Sequence, residues 1–180
     1  MTIDQTPFLD AFPTWLKSLP EDVRGLADML GREGLDQGSA QQLAGALNYL
    51  FRSLDLIPDG IEDLGFVDDA FVLRVAAADL VGDMLGSEEL VEKLAAEAQV
   101  IREFLQDDYA KLEAFVAGLG SMAVRGRSVE AIVAESGVRD EFCAELKSWA
   151  DTFSPPSFTR DPRTLTKLRA FLHAKLAKQG

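Results

Sequence analysis

Between Asn48 and Phe71 the 3.6-residue apolar periodicity of the chain stops and then restarts. No other feature constrains the fold as much. Pro58 has no backbone N–H and holds Ile57 extended, so a helix arriving from Leu54 cannot continue. Asp59-Gly60 is a turn signal, and Gly65 offers a positive φ where the chain must bend back. Asp68 fits the N-cap of the next helix, with Asp69 in its first turn and Val67 and Val72 at the hydrophobic-staple positions. Leu56, Ile57, Ile61, Leu64 and Phe66 give the loop its own apolar anchors. The expectation is an ordered helix–acidic loop–helix hairpin at about residues 43–80.

Helical stripes flank this break on both sides, and no run alternates apolar and β-branched residues with polar ones. With 180 residues, 47% of them hydrophobic, the chain suits one all-α domain, a bundle of seven or eight helices. Thr6 is the expected N-cap of the first helix, with Pro7 behind it. Pro13 should distort or split that helix, and Pro20 should end it and begin a second, short one closed by Gly31 and Gly34. Ser39 and Gln42 form a capping-box pattern before the stripe Leu43, Ala46, Leu47, Leu50, Phe51 and Leu54.

After the loop, helix is expected from about Asp69, with Phe71, Val72, Val75, Ala76, Leu80 and Val81 inward and Gly86 at its end. Ser87 should open the longest helix, to about Ala117. Its near-heptad stripe suits either core packing or a coiled-coil seam, broken at Asp108. Residues 118–127 suit a flexible connector. It is glycine-rich and carries two arginines, but it lacks the Gly-Lys-Ser/Thr and strand context of a phosphate loop. Ser128 caps a helix through Ala134, and another runs over Phe142, Leu146, Trp149 and Phe153. Their pairing resembles a helix-turn-helix, but the second helix is too acidic to read DNA. Residues 1–153 thus form a helical body. Ser154-Pro-Pro-Ser links it to a basic amphipathic helix within 154–180, expected to dock on the body.

Charge is uneven. Residues 1–100 hold 19 acidic and 6 basic side chains; residues 101–180 hold 11 and 12. An acidic front half disfavours nucleic acid and anionic membrane, and favours cations or basic protein partners. The break itself carries Asp55, Asp59, Glu62, Asp63, Asp68 and Asp69, with no Lys or Arg from Ser53 to Leu73. Asp55 is the odd member, because a negative charge at a helix C-terminus opposes the macrodipole. Its offset is the positive start of the next helix, a side chain such as Arg52 or Arg74, or a metal. Asp55, Asp59, Asp63, Asp68 and Asp69 supply hard oxygen ligands suited to Ca2+ or Mg2+, although their spacing is not that of an EF-hand. Structural capping, metal binding and a basic partner all stay open here, and acid/base or metal-assisted hydrolysis is a weaker alternative.

Tyr49, Asp55-Leu-Ile-Pro58-Asp59, Gly65 and the pair Asp68-Asp69 resemble the motif of the YkvA-like family, a bacterial domain of unknown function (domain of unknown function 1232). The resemblance covers about Leu43 to Leu80 and departs at Ser53, where the family usually has Pro; the helix is therefore expected to run closer to Asp55. It implies a helical hairpin module and supplies no reaction. Many members carry a transmembrane helix, whereas no stretch here approaches the roughly twenty apolar residues that span a bilayer.

His173 is the only histidine and Cys143 the only cysteine. No disulfide, His-rich metal site or Ser-His-Asp triad can be assembled from them. The first residues lack a basic, apolar leader pattern, which suits a cytoplasmic protein. The resulting expectation is a non-catalytic helical interaction or scaffold protein with a protein partner and no cofactor. The alternative is a divalent-cation-binding regulatory module using the Asp55–Asp69 loop. Peripheral membrane contact by the last helix is a lesser alternative.

Overall fold

The computed structural model describes residues 2–52, 55–81 and 88–179. Ser53 and Leu54, near one expected helix boundary, and Gly86 and Ser87, at another, lie outside the described residues. The fold is all-α, with eight helices among the described residues and one two-stranded ribbon.

The first helix, α1 (Thr6–Leu30), is continuous, with Pro13 and Pro20 both inside it. The sequence suggested a split. An interior proline costs about 3 kcal/mol, yet Phe8, Phe12, Trp15, Leu16, Leu19, Val23, Leu26 and Leu30 are all buried along one unbroken face. A split would misalign that face, and its burial outweighs the lost hydrogen bonds. Thr6 is the first helical residue rather than the cap; its N–H donates to Asp4 Oδ1 at 3.0 Å.

The cap of α2 (Gln37–Asn48) is Asp36, whose carboxylate accepts from the Ser39 N–H at 2.9 Å. Ser39, the expected cap, sits a turn inside and is buried. The helix tightens to 3-10 geometry over Tyr49–Phe51, and Arg52 is extended (φ −73°, ψ 133°). The helical run therefore closes at Phe51, with Arg52 already outside it.

Across the loop, α3 (Val67–Leu80) begins from Phe66, which is left-handed (φ 64°). Every residue from Val67 to Ala77 is buried. This helix packs against α1, α2, α4 (Glu89–Leu105) and α5 (Tyr109–Gly118). Val81 lies beyond its end and is exposed, not inward.

The expected long helix is two. Gln106 takes φ 53°, a 3-10 turn follows to Asp108, and α5 begins at Tyr109. Asp108 is buried at the break and is held by Lys111 and His173. The stripe Val91, Leu94, Ala98, Ile101, Leu105, Leu112 and Leu119 is core.

The glycine-rich connector folds into a 3-10 turn and a ribbon, β1 (Ala123–Val124) with β2 (Arg127–Ser128). Arg125 and Gly126 both have positive φ, as a two-residue hairpin turn requires. Ser128 caps α6 (Val129–Ala134) through the Ala131 N–H, and α7 (Ser136–Thr152) lies along α1. A strap over residues 153–161 leads to α8 (Pro162–Ala177). Thr164, Leu165, Leu168, Leu172 and Leu176 of α8 are buried, and Arg169 donates to the Phe104 carbonyl at 3.1 Å.

Candidate metal centre

The loop between α2 and α3 is built by backbone contacts. Pro58 offers its carbonyl to the Ile61 N–H at 3.0 Å, and the Ile61 carbonyl accepts from Gly65 at 3.0 Å. The left-handed residues are Asp63 and Phe66, not Gly65. Gly65 is required for a different reason: a Cβ there would overlap the carbonyl of Asp59. Phe66 accepts its φ because its ring is seated against Phe153 at 5.1 Å and Trp149 at 6.1 Å.

Asp68 is the second residue of α3, with Phe66 in the cap position, so it is not the N-cap. Its carboxylate reaches back across the loop instead. Oδ2 accepts from the Tyr49 hydroxyl at 2.5 Å and from the Ile57 N–H at 3.2 Å. Tyr49 in turn accepts from the Leu56 N–H at 2.7 Å. Leu56 and Ile57, in the bend before Pro58, thus present two consecutive N–H groups to one buried Tyr–Asp pair. The motif contains Tyr49, but nothing in the sequence assigned its hydroxyl this bridging role.

Three of the five candidate ligands converge. One carboxylate oxygen from each of Asp55, Asp68 and Asp69 lies within 4.8 Å of the other two. Asp68 and Asp69 are each only 1% exposed. Asp55 Oδ1, Asp68 Oδ1 and both oxygens of Asp69 are buried without a hydrogen-bond partner among the described residues. Asp59 stands at the outer side of this group, exposed, and interacts with Asp55. Asp63 is elsewhere: its Oδ1 accepts from the Thr159 N–H at 3.0 Å and the Thr159 hydroxyl at 2.9 Å, tying the loop to the strap. Glu62 is exposed.

A family model described as "Protein of unknown function (DUF1232)" matches residues 42–74. The chain carries a DUF1232 segment. It contains Tyr49, Asp55, Pro58, Asp59, Gly65, Asp68 and Asp69, and its last residue is Arg74. Neither the curated proteins nor the solved structures yield a match to the chain.

The electrostatics of the DUF1232 segment follow from its geometry. Burial pushes the Asp55 carboxyl up to about 8, helped by the charges of Asp68 and Asp59 and opposed by Arg52. Burial likewise raises Asp68 to about 6, against the hydrogen bonds from Tyr49 and Ile57 that favour its anion. Asp69, with no such donors, is raised well above the usual carboxylate range by burial and by its three acidic neighbours. Tyr49 is raised by burial and by Asp68 and Asp69, so it stays a donor.

The two arginines considered as offsets are placed differently. Arg74, fully buried on α3, pairs with Glu97 at 2.8 Å and Asp22 at 3.3 Å and stacks on Trp15 at 4.3 Å. Arg52 acts on Asp55 at a distance, and its guanidinium lies 5.4 Å from the Phe115 ring centre. What faces Asp55 is the start of α3, where Asp68 and Asp69 add more negative charge. Buried carboxylates left unpaired are costly. Such a group either holds protons or surrounds a cation, and its all-oxygen donor set is that of a hard divalent ion.

Proposed function

We propose that this chain is a non-catalytic helical module whose DUF1232 segment binds a divalent cation, Ca2+ or Mg2+, at Asp55, Asp68 and Asp69. The observation that carries the reading is the convergence of three carboxylates, two of them fully buried, with four oxygens lacking a donor among the described residues. The ion would join the chain leaving α2 to the first turn of α3 and offset the repulsion among the acids. Asp59 is placed to contribute from outside, directly or through water; Asp63 is not a ligand in this reading, because Thr159 already occupies it.

Thermal unfolding with calcium, magnesium and manganese tests the proposal. An ion at about one hundred times its Kd stabilises by about 2.7 kcal/mol, a rise of roughly 5–11 °C for a chain of this size. Asp69→Asn should remove the rise. An unchanged midpoint with all three ions refutes the site.

A protein-interaction role for the module has its own support at α8, where Arg163 and Lys167 on the helix and Lys178 just beyond its end are exposed on a chain of net charge −12. Truncation before Ser154 tests that role; equal partner recovery by the shortened chain counts against it.

A further inference from the structure

At Arg52, where α2 gives way to the acidic loop, lies a groove of opposite character. It has a volume of about 370 Å3 and runs between Arg52, α5 and the C-terminal end of α8. Phe115, Met122 and Leu176 supply much of its apolar wall, Arg52 and Lys111 line it as well, and among the described residues no carboxylate side chain lines it. That is unusual in a chain with 30 acidic and 18 basic residues. The volume falls in the range of small-molecule sites, which combine apolar walls with a few placed polar groups.

Arg52 is the decisive residue. Its guanidinium is half-buried and makes no carboxylate contact within 4.0 Å among the described residues. Its neighbours are the Met122 sulfur at 3.9 Å, a weak acceptor, and the face of Phe115. Among the described residues, most of its donors therefore have no strong acceptor. Lys111 is bound to Asp108 at 2.8 Å, but Asp108 also holds His173 at 2.7 Å, so Lys111 can turn toward a ligand without stranding that carboxylate. The C-terminal carbonyls of α8 would repel an anion, and two of them are covered by the N–H groups of Lys178 and Gln179.

We propose that this groove binds a small amphipathic carboxylate. The planar head pairs with Arg52, whose fork geometry matches a carboxylate, and Lys111 adds a second charge. The tail lies along Phe115, Met122 and Leu176. This inference is independent of the cation site: Arg52 is shared electrostatically with Asp55, but the groove uses no acidic ligand.

Octanoate, titrated into the full chain by calorimetry, is the probe, with acetate and octyltrimethylammonium as controls. Octanoate should bind, while acetate lacks the tail and the ammonium has the wrong charge. Arg52→Gln should weaken octanoate about tenfold or more, as expected for loss of a charge-assisted pair. Ala114→Trp, on the exposed face of α5, should block the groove while leaving Arg52 in place. Equal binding of octyltrimethylammonium, no binding of octanoate, or octanoate binding that survives both substitutions overturns the proposal. So does binding only to anionic phospholipid vesicles, which would make the face a membrane contact.

Discussion

The Tyr49 hydroxyl joins the two halves of the DUF1232 segment, and Tyr49→Phe isolates its contribution. The ring stays, including its edge contact with Phe115 at 5.8 Å. Two hydrogen bonds are lost: the donation to Asp68 at 2.5 Å and the acceptance from Leu56 at 2.7 Å. A hydrogen bond to a charged group is worth about 1.5–3 kcal/mol, and a buried N–H left unmade costs about 1–3 kcal/mol. Asp68 recovers part of this by taking a proton more readily. A net loss of about 3 kcal/mol follows, or roughly 6–12 °C in midpoint. Urea unfolding, followed by the fluorescence of Trp15 and Trp149 and by far-ultraviolet circular dichroism, gives the number. The denaturant slope should stay constant, because the same surface is exposed. A loss below about 0.5 kcal/mol, the range of an ordinary surface change, would mean that the hydroxyl does not bridge the loop to α3.

Other expectations concern the same core. In the metal-free protein Asp55, Asp68 and Asp69 have folded-state pKa values above the unfolded value near 3.8, so the folded chain holds more protons; stability should fall as pH rises from about 4 through about 8. Asp55→Asn should flatten that fall, and an increase of stability across this window would contradict the buried cluster. Arg74→Ala should cost about 3 kcal/mol by removing the buried guanidinium from Asp22, which keeps only the Ser18 hydroxyl at 3.0 Å and Lys93 at 3.7 Å, measured by chemical denaturation; a near-neutral effect would show that the ion pairs are solvated. Gly45→Ala drives a Cβ to 2.9 Å from the backbone of Leu119 and Gly120, and should destabilise by about 1–3 kcal/mol. A midpoint unchanged by that substitution would mean that α2 and the 119–121 turn are not in close contact.

The sequence carried the helical class, the break at Pro58 and most of the buried stripes, because these rest on local periodicity and on what proline forbids. The errors share one cause. Pro20 reads as a stop until the unbroken face from Phe8 to Leu30 is seen, and Ser39 reads as a cap until its burial is known. Gln106 carries no turn signal, so the kink between α4 and α5 was invisible. At the loop, composition identified five candidate acids but could not separate Asp63, bound to Thr159 from 96 positions away, from the three that meet. Contacts across such distances leave no trace in local pattern. The capping role given to Asp68 failed for the same reason: it lies one residue inside the helix, and its Oδ2 is turned back to Tyr49 and Ile57 across the loop.

The enclosure of α3 has a consequence for how this family segment is handled. Its walls come from α1, α2, α4 and α5, and neither α1, α4 nor α5 lies within residues 42–74. The matched stretch is therefore the kernel of a domain and not a domain. Excised or grafted alone, it would place Phe71, Val72 and Val75 in water together with two carboxylates that need shelter from it. In this chain the segment is a guest of the helices that wrap it, and its few buried side chains stay dry only while those helices are in place.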